Sequence, residues 1–387
     1  MQNTDCRRVD LDWVRIVAFG LLILYHVGMY YVPWYWHVKS DELVPGLVPV
    51  MLATAPWRLA LLFLVSGAAT HFMLLRRSAG ELARDRSTRL LRPLLFGVLV
   101  IVPLQPYYEV VQKLGYSEGF WAFYGRYLLA DQSFCPQSAC IILPTWNHLW
   151  FLPYLFVYTA LVLILHARWP QLLAKMGERL ESAFSGAGVL IWPFLFLATA
   201  RILLAPLFPR TMALADDWYN HAQYFAVFLF GIVFARSTPV WQAMSRYHFV
   251  AAVLMIVSYV FIARLVSFSF IGNLPVAYDV MYALNQWSAM VAILGFAHLF
   301  VVRDGPVRRY LTDAIFPFYM VHQTALIAFA MLLKPYRLPV AVEASLLVAA
   351  TALACVATYE VVRRVSWMRT VFGLRASPRR HAGLTPH

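Results

Sequence analysis

The chain has 387 residues, of which 61% are hydrophobic and only 13% charged, with mean hydropathy +0.64 and formal net charge +13. Soluble domains carry nearer to about 25% charged residues, which excludes an ordinary soluble enzyme. Apolar runs of about twenty residues recur along its length, enough to cross about 30 Å of hydrocarbon as helix, and they lack the ten-residue alternation of a barrel. The expected fold is an all-α, polytopic membrane bundle of about ten transmembrane helices forming one domain over 1–387, with its core at 10–375 and a basic tail at 376–387.

The spans are expected at 13–32, 50–75, 93–112, 147–166, 187–208, 219–235, 248–270, 278–302, 313–333 and 338–362. The first apolar run is long and has no small-residue cleavage site, so it reads as an uncleaved anchor. With ten spans both termini share a side. That side and its alternate loops hold 22 of the 32 Lys and Arg; the opposite side holds 6, and Arg15, Arg58, Arg201 and Arg264 fall inside spans. Basic loops stay in the cytoplasm, so both termini are expected there. The positive balance then reflects topology and anionic lipid, not nucleic acid.

In the first span, Arg15 and His26 are eleven steps apart, about three turns plus 20°, so both project from one face roughly 16 Å apart along the axis. Arg at a helix centre costs about 2.5–3.5 kcal/mol, so each such residue needs a partner, water or a task. Arg15 snorkelling and His26 bonding a neighbouring helix is the plain alternative. In the second span Arg58 precedes Phe63 and Ser66-Gly67. Before the third, Arg86, Arg89 and Arg92 make a stripe ahead of Pro93, able to hold phosphates or simply to anchor the loop. Cys135 and Cys140 share the longest external loop, as a disulfide or two free thiols.

His148, with Trp146, Trp150 and Tyr154 at the start of the fourth span, can line a sugar cleft or belong to an interfacial aromatic belt. Arg58 and Arg201 can bind an acyl carboxylate or pair internally. Glu109, Asp217 and Asp279 lie near external span ends as expected solvated carboxylates with no assigned role. His322 lies in the ninth span, and Glu360 closes the tenth beside Arg363 and Arg364. No metal site is expected.

In order, Arg15-x10-His26, Arg58 with Ser66-Gly67, Arg86-x-x-Arg89, His148-Leu149-Trp150-Phe151-Leu152, Tyr319-Met320-Val321-His322 and Tyr359-Glu360 resemble the acyltransferase-3 family of integral membrane acyltransferases. Trp36-His37-Val38, Ser40, Tyr359-Glu360-Val361 and the basic tail are most similar to its periplasmic-glucan succinyltransferase branch. Departures are the Cys135–Cys140 loop and Gln323-Thr324 after His322.

The resemblance implies a bacterial inner-membrane enzyme that moves an acyl group, succinyl in preference to acetyl, from cytoplasmic acyl-CoA to a glycan hydroxyl on the far side. Arg86, Arg89 and Arg92 would hold CoA phosphate, with Arg15 at the inner mouth and His26 as general base. Arg58, His148, Trp150, Arg201 and His322 would contact substrate, with Ser66 and Glu360 accessory; a homodimer is compatible with it. A secondary transporter or flippase is the rival class, although no internal repeat of the Arg-x10-His pattern is found. A non-catalytic scaffold or sensor would need no His26.

Overall fold

The computed structural model describes residues 8–136, 140–268, 272 and 274–374, and every regular element among them is helical. In chain order these are α1 Val9–Tyr31, the short α2 Val48–Leu52, α3 Arg58–Leu74, α4 Ala79–Phe96, α5 Leu104–Leu114 and α6 Phe120–Leu128. Then follow α7 Phe151–Arg168, α8 Pro170–Ala183, α9 Gly188–Leu204, α10 Trp218–Arg236, α11 Thr238–Ser267, α12 Pro275–Phe300, α13 Pro306–Leu333, α14 Val340–Val362 and α15 Ser366–Val371. The tail from 375 onward and Cys6 lie outside the described residues.

All ten expected spans are helical. Seven helical segments are each long and apolar enough to cross a bilayer, and α8 with α9 qualifies as a pair bent by 112°. The other two are α3, at 17 residues, and α10, whose first turns carry Asn220, His221 and Gln223. Four boundaries differ from expectation by seven residues or more, among them the starts of α11 at Thr238 and of α13 at Pro306, expected at 248 and 313. The second span begins at Arg58, because the chain from 48 to 57 is a separate short helix and turn. The third begins far earlier, at Ala79, where Ser78 and Glu81 form a reciprocal capping box. The Arg stripe is therefore part of that long helix rather than of a loop.

The long helix passes through a π-helical stretch, Gly97–Ile101, before Pro103. Proline has no N–H to donate, so carbonyls one turn earlier are left over. The Tyr127 and Tyr124 hydroxyls of α6 donate to the Val98 and Leu99 carbonyls at 2.8 and 2.9 Å. Helix α6 is thus fastened to the break in the helix. Its following loop holds Cys135 and Cys140 joined as a disulfide.

Helix α1 sits against α3, α12 and α13, while α11 pairs with α12 and α14 with α13. The α3–α10 crossing is very close: a Cβ on Gly67 would fall 2.0 Å from the Phe228 carbonyl oxygen, and one on Gly231 2.0 Å from that of Leu64. Small residues permit this backbone approach between membrane helices. Ser66-Gly67 therefore acts in packing, with the Ser66 carbonyl accepting from Thr70.

The helix ends bearing the termini are tied by ion pairs. Arg308, 1% exposed, bonds Asp304 at 2.7 Å and also Asp12 of α1. Two guanidinium bonds hold the Asp304 carboxyl well below its ordinary range. Glu360 accepts from Tyr310 at 2.9 Å and pairs with Arg363 and Arg364 at 3.2 and 3.0 Å.

Candidate active site

His26 of α1 and His322 of α13 meet with 3.0 Å between His26 Nδ1 and His322 Nε2. His322 Nδ1 lies 2.8 Å from the Tyr319 carbonyl oxygen and 3.2 Å from that of Phe318. A carbonyl only accepts, so His322 Nδ1 carries the proton and its Nε2 offers a lone pair. His26 Nδ1 must then be the donor between the rings. In the neutral imidazole this leaves His26 Nε2 as a lone-pair acceptor, and it has no hydrogen bond to any described residue. His322 is wholly buried, whereas His26 is half-buried and reachable. One backbone carbonyl thus sets two imidazole tautomers in series.

His148 stands beside this pair, its ring centroid 5.2 Å from that of His322. Its Nε2 donates to the Met320 carbonyl at 3.0 Å and its Nδ1 accepts from Gln105 at 3.1 Å. Both nitrogens are used, and Tyr319 donates back to the His148 carbonyl at 2.6 Å. Here His148 positions α13. Gln105, fully buried on α5, also donates to Thr324 at 2.7 Å and accepts from Asn147 and Gln323 at 3.1 and 3.0 Å. Each polar atom of this amide is satisfied, as burial demands. The Gln323-Thr324 departure is therefore one side of an interhelical lock that fixes His322.

The loop after α1 folds back over His26. Trp36 stacks on it at 6.4 Å with a 14° interplanar angle. Lys39 donates to the Met29 and Val32 carbonyls, closing the end of α1, and its backbone exchanges two hydrogen bonds with Gln112. Burial brings the Lys39 ammonium down to about 8, still charged at neutral pH. His37 meets buried Glu109 at 2.6 Å, and Tyr35 and Lys113 complete the shell around that carboxylate. Glu109 is not the solvated carboxylate expected from sequence. Nor is Asp217, fully buried under Tyr154 and Asn220, nor Asp279, which pairs with Arg201 at 2.6 Å.

At the other end of α1, Arg15 lies 3.4 Å from the Thr312 carbonyl and 3.8 Å from Asp12. Arg86 turns inward to Thr70 of α3 at 3.0 Å, within Coulomb range of Arg15 and Arg89. Arg89 pairs with Asp85 at 3.1 Å, and Arg92 is exposed. A cleft of about 450 Å³ opens beside them, lined by Arg76, Arg77, Arg84, Thr88, Glu81 and Asp85. Between this end and His26 the shared face of α1 is filled by Phe19 and Leu22, both buried. Phe19 packs edge-on to Tyr319 and His322 at 6.1 and 5.5 Å.

The remaining expected residues are buried in the core. Trp150, 6% exposed, packs against Tyr154, Tyr224 and Phe63 at 5.1, 5.7 and 6.1 Å. Arg58 is 2% exposed, its guanidinium carbon 3.8 Å from the Tyr25 ring centroid. Arg201 faces Tyr282 in the same way at 3.8 Å.

The acyltransferase-3 family model, described as an acyltransferase domain, matches residues 8–360, nearly the whole chain. The chain belongs to the acyltransferase-3 family. No curated protein and no solved structure matches it. In this membrane acyltransferase, folding brings His26, His322 and His148, the last from the turn before α7, into one cluster. Sequence reasoning missed Gln105 and Asn147, although an amide inside an apolar span is itself a signal of a buried network.

Proposed function

We propose that this membrane acyltransferase moves an acyl group from cytoplasmic acyl-CoA to a hydroxyl of a periplasmic glucan or similar extracytoplasmic glycan, with His26 as general base. The observation that carries this reading is the His26–His322 pair, whose tautomer chain leaves His26 Nε2 free to accept a proton. The orientation follows the basic end of the bundle: Arg15, the Arg86–Arg92 stripe and the adjacent cleft face the cytoplasm, and the loops over His26 face out.

In the reaction, the acceptor hydroxyl gives its proton to His26 Nε2 while its oxygen attacks the thioester carbonyl. Collapse of the tetrahedral intermediate breaks the C–S bond, and the leaving thiolate takes the proton back from the imidazolium. His322 holds the ring in register throughout and accepts the Nδ1 proton's hydrogen bond, which strengthens as the ring becomes cationic. CoA phosphate would lie on exposed Arg92 and its neighbours. Because Phe19 and Leu22 fill the face between the two ends of α1, donor access requires those side chains to swing aside. The transferred acyl group is succinyl or acetyl.

Radiolabelled acetyl- or succinyl-CoA incubated with protein in nanodiscs and a neutral β-glucan tests this. Label on the glucan is the expected result. Movement of unmodified glucan across a vesicle without CoA would instead support a transporter.

A further inference from the structure

A second site, open to solvent at Arg210, begins one residue along α1 from the proposed base. Tyr25, Arg201, Arg210, Tyr219, Tyr278 and Tyr282 line a cavity of about 300 Å³ at the same end of the bundle as His26. That volume is at the lower limit of ordinary ligand pockets. Arg201 reaches it from the end of α9, held by Asp279 at 2.6 Å and bonded to the Tyr219 hydroxyl at 3.1 Å. Arg210, in the following loop, is accessible to the cavity's solvent, with its guanidinium carbon 5.3 and 5.6 Å from the Tyr219 and Tyr282 ring centroids. Arg58 closes the inner wall behind Tyr25, bonded by Nη1 to Thr54 at 2.9 Å. Its Nε is buried without a hydrogen bond. All three cations lie within Coulomb reach of the Tyr282 hydroxyl.

The charge balance is unequal. Among the described residues only Asp279 pairs with any of these arginines, which leaves Arg210 at the open side of the cavity and buried Arg58 behind its wall without a carboxylate. Buried cations are normally paired, and arginine forks match carboxylate and phosphate oxygens two at a time. The aromatic faces steady the cations but bring no net negative charge.

We propose that Arg58, Arg201 and Arg210, with Tyr25 and Tyr282, form a subsite for an anionic group, a carboxylate or phosphate ester, carried by one of the two reacting substrates. That the anion belongs to a reacting substrate rests on His26 being the reaction centre. The two observations joining them are the 6.2 Å between the Tyr25 and His26 ring centroids and the Coulomb reach of Arg58 to His26. The anionic group has two sources: the far end of a dicarboxylic acyl chain, or a charged substituent on the acceptor glycan. In either case the pocket selects a charged substrate and orients its neutral reacting end toward His26.

The test combines binding and discrimination, using wild type, Arg210→Gln and the charge-retaining Arg210→Lys in nanodiscs. Sodium succinate or glycerol 1-phosphate, against chloride at matched ionic strength, should raise the wild-type Tm by about 2 °C or more. Arg210→Gln should lose that shift and Arg210→Lys keep part of it. If the source is the acyl chain, Arg210→Gln lowers the ratio of succinyl-CoA to acetyl-CoA turnover by about tenfold or more. If the source is the acceptor, that ratio holds, and the preference for a phosphoglycerol-bearing over a neutral glucan falls instead. Neither anion stabilising wild type, or Arg210→Gln keeping the full shift, would overturn the subsite. Absence of any acyl transfer by wild type would sink the enzymatic reading while leaving the Tm comparison to decide the pocket.

Discussion

The regions at the two ends of α1 both carry cations, yet their surroundings differ. At the end bearing the termini, Arg8, Arg308 and Glu360 are matched by partners of opposite charge: Arg8 with Asp10 at 2.5 Å, Arg308 with Asp12 and Asp304, Glu360 with two arginines. At the His26 end, Arg58 and Arg210 have no carboxylate among the described residues, and His26, His322 and His148 are arranged by hydrogen bonds to one another, to backbone carbonyls and to an amide. Matched charges mainly hold helices together, whereas unmatched donors and a free imidazole nitrogen leave valence for a substrate. Burial alone does not separate these uses; the partner list does.

That contrast can be broken in several ways. His322→Ala should cost about 10²- to 10⁴-fold in turnover with little change in KM for acyl-CoA, because His26 loses the acceptor that fixes its tautomer; steady-state kinetics on the nanodisc protein reads this. Retention of full turnover would show that His26 needs no orienting partner. Arg308→Ala should act on stability instead, lowering the denaturation midpoint while leaving turnover intact, since it removes the guanidinium that ties Asp12 of α1 to Asp304. Chemical denaturation in detergent measures it, and a variant as stable as wild type would mean the pair is incidental. Arg92→Ala should raise KM for acyl-CoA about tenfold with turnover nearly preserved, the loss of one charge-assisted phosphate contact. An unchanged KM would move the donor headgroup elsewhere, with the Arg76–Arg84 cleft as the next place to look.

The smallest effect concerns Asp304. Its carboxyl is held below the unfolded value near 3.8 by Arg308 and Arg309, so its contribution is present above that pH and is lost as pH falls through the folded value. Asp304→Asn should therefore lower Tm at pH 7 and flatten the decline of Tm below about pH 4. An unaltered acid limb would show that other carboxylates govern it.

Much of this was readable in the sequence because membrane helices announce themselves by length and apolarity. The ten helical positions follow from that, and α1 follows down to the common face of Arg15 and His26. The pairing of Glu360 with Arg363 and Arg364 is also local, one turn apart on one helix. The meeting of His26 with His322 was not readable, because it depends on α1 and α13 lying side by side across 296 positions of chain. The sequence places His148 near a span end, compatible with a sugar cleft or an interfacial belt; its bonds to Met320 and Gln105 arise only in the packed helices. Arg210 lies in a loop, and its approach to the rings of Tyr219 and Tyr282, on two helices, exists only in the folded chain.

The most direct test places donor and acceptor on opposite sides of a bilayer. Proteoliposomes oriented with the Arg86–Arg92 end facing labelled acyl-CoA, and β-glucan on the other side, should label the glucan with wild-type protein. His26→Ala of equal Tm should reduce the label by about 10³-fold or more. Transfer by His26→Ala at a rate near that of wild type would contradict the assignment of the base.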